Sequence, residues 1–91
     1  MSQLTIERAD MRRDEENNFV GYAVFTMEGQ AAAYEITFLS KNGKDWDYSL
    51  NFAGESGPEE DFLKVDALIE ENDDLFDDLL DAAIDAGGFE A

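Results

Sequence analysis

A chain of 91 residues with 23 acids, 6 bases, no cysteine and no histidine has the size of one domain around one core. Its composition excludes disulfide frameworks, thiolate chemistry and the ordinary Ser-His and Cys-His systems, and it offers transition metals neither imidazole nor thiolate. A net charge of −17 disfavours direct binding to nucleic acid and to anionic membrane surfaces, since both are held by Lys and Arg.

The chain is nonetheless expected to fold, because 44% hydrophobic residues with 12% aromatics exceed what acidic disordered chains carry. The expected organisation is a single domain over 1–91. It comprises a sheet portion (1–54), an acidic helical portion (55–88) and a short tail (89–91), where Phe89 is either a helix-end contact or free. Lack of an apolar run near Met1 and of any 18-residue apolar stretch leads to a cytoplasmic expectation.

In chain order, Gln3–Arg8 alternates Leu4 and Ile6 with Thr5 and Glu7, which predicts a short first strand. Asp10–Asn18 has no period and is expected to be a charged connection. Phe19–Met27 and Gln30–Ser40 predict the second and third strands, joined at Glu28-Gly29. A three-residue Met27-Glu28-Gly29 loop sends Val20, Tyr22 and Val24 to the core. A two-residue Glu28-Gly29 turn sends Phe19, Ala23 and Phe25 there instead, and the first is preferred because it parallels the next loop. Either choice leaves apolar groups on the outer side of this strand, expected to be covered by the 10–18 segment or to form a homodimer or partner patch.

Lys44–Ala53 predicts a fourth strand with Trp46, Tyr48, Leu50 and Phe52 on one side. A three-residue Lys41-Asn42-Gly43 loop with Gly43 left-handed pairs Phe38 with Trp46 and Ile36 with Tyr48. From Pro58 the period becomes helical. Ser56 and Glu59 have capping-box spacing, and Phe62, Val65, Leu68 and Ile69 form the apolar face of a helix over about 58–70. Asn72 is an expected N-cap for a second helix, which buries Leu75, Phe76, Leu79, Leu80, Ala83 and Ile84 and stops at Gly87-Gly88. The expected fold class is α+β, a four-stranded antiparallel β-meander followed by two C-terminal helices packed on one face.

Charge is segregated along this plan. Residues 1–54 hold 9 acids and 5 bases, a net of −4, whereas residues 55–91 hold 14 acids and only Lys64, a net of −13. In the second helix Asp73, Asp77, Asp81 and Asp85 recur every four residues, a stripe with about 6 Å of rise per carboxylate. Asp74 and Asp78 run alongside, and Asp66, Glu70 and Glu71 extend the acid backwards. Like charges at this spacing each cost a few tenths of a kcal/mol, and interspersed lysine would keep the helix soluble without that cost. The stripe is therefore an expected partner-binding surface for a basic protein patch. Since such patches commonly hold nucleic acid, the domain would act as an inhibitor or DNA mimic, binding fast and salt-sensitively. The alternatives are a merely solvated face on a self-associating structural domain, or adaptation to a salty cytoplasm, which ought to spread acid over both halves.

Catalysis is not expected. Ser2, Ser40, Ser49 and Ser56 have local explanations at a terminus, in turns or on a strand's polar side. Asp45 and Asp47 are the one carboxylate pair with glycosidase potential, on a side expected to be solvated. Gly54-Glu55-Ser56-Gly57 lacks the lysine of a phosphate-binding loop. A calcium loop starting at Asp73 fails because its third residue is Leu75 and its sixth is Asp78. No cofactor or metal is expected. Arg8, Arg12 and Arg13 are expected to offset Asp10 and Asp14–Glu16.

Overall fold

The computed structural model describes residues 4–30, 32–54 and 56–88. The expected strand start at Gln3 and the 89–91 tail with Phe89 lie outside the described residues. Among the described residues, strands β1 (Leu4–Arg13), β2 (Phe19–Met27), β3 (Ala33–Ser40) and β4 (Asp47–Phe52) form one antiparallel sheet in the order β1-β2-β3-β4. Helices α1 (Glu59–Glu71) and α2 (Asp73–Gly87) follow. Both helices pack on one face, where Val65, Ile69, Leu79, Leu80 and Ala83 meet Phe25, Tyr34, Ile36, Phe38 and Leu50. The α+β meander with two C-terminal helices is thus the fold.

Strand β1 runs on through the segment expected to be a connection. Ile6 pairs with Phe25, but Arg8 pairs with Val24, so Glu7 is an extra residue in a β-bulge. A bulge shifts side-chain parity by one. Leu4 and Ile6 share the core side before it, and Ala9 and Met11 share that side after it, with Met11 buried. The true connection is only residues 14–18. There Asp14 accepts from the backbone N–H groups of Glu16 (2.8 Å) and Asn18 (2.9 Å). The Asn18 N–H, above all, holds the Asp14 carboxyl below its ordinary range.

The face of β2 is the opposite of the one preferred from sequence. Ala23, Phe25 and Met27 are buried on the helix side and Phe19 is half-buried there, while Val20, Tyr22 and Val24 lie on the outer side, where Val24 is still buried and the other two are half-buried. Gln30 N–H donates to the Met27 carbonyl at 3.1 Å around a Glu28-Gly29 turn, with Gly29 at φ 85°. Pairing then sets Phe25 against Tyr34, which buries more apolar surface than Val24 would. Strand β2 is an interior strand, with β1 on one side and β3 on the other.

Strand β4 is displaced by two residues from the expected pairing. Phe38 pairs with Tyr48, Ile36 with Leu50 and Tyr34 with Phe52. An even displacement preserves the faces, so Tyr48, Leu50 and Phe52 still point to the core side. The longer loop is built on two side chains. Buried Ser40 Oγ accepts from Gly43 N–H at 2.8 Å, and Asn42 Oδ1 accepts from Lys44 and Asp45 N–H at 2.8 and 2.9 Å. These local bonds replace ladder bonds and delay the strand. Trp46 therefore precedes β4 and packs on Phe19 and Phe38, with ring centroids at 5.9 and 6.4 Å.

The capping box does not form. Pro58 is the N-cap of α1, without a side-chain cap bond, and its carbonyl accepts from Asp61 and Phe62 N–H at 3.1 and 3.2 Å. Leu68 leaves the expected apolar face and is 40% exposed, while Val65 and Ile69 are buried. Asn72 caps α2 as expected, its side chain accepting from Leu75 N–H at 3.2 Å, and Gly88 at φ 81° ends the helix.

Candidate functional site: the acidic helical surface

Helix α2 lies with its apolar face on the sheet, and this orientation sends its carboxylates outward. Leu79, Leu80 and Ala83 are buried, which leaves Asp73, Asp74, Asp77, Asp78, Asp81 and Asp85 all exposed. Asp73 and Asp74 complement the positive end of the helix, but Asp85 opposes the negative end, and no base occupies the last turn. Glu70 and Glu71 close α1 and are exposed beside the Asn72 junction that leads into α2.

Asp66 differs from the rest. It sits one turn inward on α1, half-buried, and accepts from the Tyr48 hydroxyl at 3.4 Å. Burial first, then the charges of Asp66 and Glu70, push the Tyr48 phenol up to about 12 from 10.0. An unfolded tyrosine ionises at its ordinary value while the folded one still holds its proton. This contribution is complete below pH 10 and is lost as pH rises toward 12. Solvent at the half-exposed ring weakens it. Tyr34, raised by burial and then by Asp61, acts in the same direction. Urea denaturation above pH 10 is therefore expected to show wild-type stability falling, and Tyr48→Phe is expected to flatten that fall. An unchanged slope in Tyr48→Phe would assign the loss elsewhere.

Among the described residues, no three acidic side chains converge closely enough to hold a metal ion. The stripe spreads its charge along the helix because successive members stand a full turn apart. Asp45 and Asp47 do not form a carboxylate pair on one strand. Asp45 lies in the 41–46 loop, where Asn42 Nδ2 donates to it at 3.3 Å, while Asp47 opens β4 on the sheet's outer side.

No family model, curated protein or solved structure matches this chain. Among the described residues no helix is long and apolar enough to cross a membrane.

The arginines also separate. Arg8 and Arg12 project from the outer side of β1, opposite Val24 and Val20. Arg13 falls on the other side, its guanidinium 4.5 Å from the Phe19 ring centroid and its Nη2 donating to the Asn17 carbonyl at 3.5 Å. Sequence inspection missed the consequence: Arg12, Val20, Leu39 and Asp47 form one row across the outer face. The alternation of Thr37 and Leu39 with Ile36 and Phe38 was the available signal for its middle, and the Glu7 bulge hid its end.

Proposed function

We propose that this protein is a non-catalytic interaction domain whose acidic helical surface occupies a basic surface of a partner protein, in the manner of an inhibitor or nucleic-acid mimic. The observation that carries this reading is the exposed, base-free face of α2, with six aspartates outward and none neutralised by a base on the same helix. Maintaining such a face opposes folding, because each like-charged i,i+4 pair costs a few tenths of a kcal/mol. A complementary cationic surface turns that cost into attraction and steers encounter from a distance. Electrostatic attraction of this kind weakens as the Debye length shrinks from about 10 Å at 0.1 M salt to about 3 Å at 1 M.

The test is capture of basic, nucleic-acid-binding proteins at low salt. Wild type is expected to retain them and to release them as salt rises, and Asp77→Lys/Asp81→Lys is expected to lose them. The equal charge change Glu15→Lys/Glu16→Lys, in the 14–18 connection, is expected to retain them. The helix reversal should at the same time stabilise the fold by about 1 kcal/mol, since it turns the repulsive 73–77 and 81–85 pairs attractive and leaves 77–81 like-charged. Capture that ignores the helix reversal, or that fails equally in both variants, would reject a specific surface in favour of net charge alone.

A further inference from the structure

The helices cover one face of the sheet and leave the other open. On the open face the pairing register lines up rows of side chains across all four strands, and the row at one end is Arg12 on β1, Val20 on β2, Leu39 on β3 and Asp47 on β4. Leu39, next to the end of β3, is 43% exposed on this face. The next row is Asp10, Tyr22, Thr37 and Ser49, and a shallow depression of about 420 Å³ opens over Asp10, Arg12, Tyr22, Glu35 and Thr37. Charge on this face is nearly balanced. Arg8 and Arg12 stand on β1 with Asp10 between them, and Glu35 and Asp47 stand on β3 and β4. The great excess of acid lies on the opposite side of the molecule.

The geometry points to a second copy of this chain as the occupant of the open face, related by a two-fold axis that runs parallel to the strands. Such an axis lays β1 of one copy over β4 of the other and β2 over β3. Because an isologous contact is reciprocal, the Arg12–Asp47 row then faces itself reversed. Arg12 meets Asp47 of the second copy, Val20 meets its Leu39, and both contacts occur twice. A two-fold axis across the strands would instead set β1 over β1 and oppose arginine to arginine. Sheets packed face to face lie about 10 Å apart, a gap that an arginine and an aspartate span between them. The arrangement also turns both acidic helical faces outward, to the far sides of the dimer, so the copies meet where repulsion is least.

The face is small. Four strands about 4.8 Å apart and six to ten residues long give roughly 450 Å² in plan, below the ~800 Å² per partner of a standard interface. Association is therefore expected only at protein concentrations on the order of 0.1–1 mM, and it should strengthen as added salt screens the −17 of each copy. Salt thus moves this contact and the capture of a basic partner in opposite directions, and either can fail without the other.

Sedimentation equilibrium at about 0.5 M NaCl decides the matter. Wild type is expected to dimerise, and more so than at low salt. Leu39→Glu is expected to weaken the dimer about tenfold or more, with an unchanged thermal melt because Leu39 is exposed. Arg12→Asp and Asp47→Arg should each weaken it about tenfold, and the double exchange should restore it. Asp77→Lys/Asp81→Lys should leave the dimer intact. A strictly monomeric wild type, indifference to Leu39→Glu, or a double exchange no better than the single variants would each overturn the proposal.

Discussion

Phe38→Ala is expected to destabilise the protein by about 3–5 kcal/mol, the largest effect of any single truncation considered. Phe38 is fully buried in β3 and sits where all parts of the core meet. Its ring meets Phe76 from α2 nearly perpendicularly at 5.6 Å and Trp46 from the 41–46 loop nearly perpendicularly at 6.4 Å. Removal leaves a void that α2 cannot fill, because the helix is fixed at both ends, by the Asn72 cap and by the contact of Gly87 with Met11. For a domain of this size the loss approaches the whole folding free energy, and a fall in Tm of roughly 15–30 °C follows. Thermal and urea melts measure it. Phe76→Ala tests the mechanism, because the two rings touch: the double variant should lose about 0.5–1.5 kcal/mol less than the sum of the single variants. Strict additivity would show that the edge contact contributes nothing beyond burial.

Gly87→Ala is the second large effect, and its sign runs against helix propensity. Alanine favours a helix over glycine by about 1 kcal/mol, and Gly87 lies within α2 with no positive φ. Yet a β-carbon there would press on the Met11 carbonyl oxygen and approach Met11 Cβ and C at 2.8 and 2.9 Å. Those atoms belong to the backbone and stem of β1, so no rotamer change relieves the clash and the helix end must lift from the sheet. A net loss of about 1–3 kcal/mol is expected. Met11→Ala added to Gly87→Ala should not recover it, since the obstructing atoms remain. Gly88 gives the contrast. Nothing lies within 4 Å of its missing β-carbon, but its φ is 81°, so Gly88→Ala should cost about 1–2 kcal/mol through backbone strain alone. Equal or greater stability in Gly87→Ala would show that α2 approaches β1 less closely than the structure indicates.

These two positions mark the boundary between what was legible in the sequence and what was not. Local chemistry determined the succession of strands and helices, the Asn72 cap, the Gly88 stop, and the alternation of Tyr34, Ile36 and Phe38 on β3. It also located the acid: an amphipathic helix that buries Leu79, Leu80 and Ala83 has no choice but to expose Asp77, Asp78 and Asp81. The stripe residues on α2 are therefore where periodicity put them. Asp66 is the exception, because its neighbour Tyr48 comes from a strand that periodicity alone could not place over it.

Everything that depends on one strand meeting another was decided by the tertiary structure. The Glu7 bulge adds one residue on β1, and a single insertion reverses which side chains face the core, so Met11 looked like part of a charged loop. The face of β2 turned on whether Phe25 or Val24 would lie opposite Tyr34. The start of β4 turned on Ser40 and Asn42 drawing the backbone of residues 42–45 into local bonds. The outer row of Arg12, Val20, Leu39 and Asp47 exists only once all three registers are set. Helical periodicity is carried by the helix itself, so one chain segment suffices to reveal it. Sheet register is a property of two segments at once, and no single stretch of this sequence contains it.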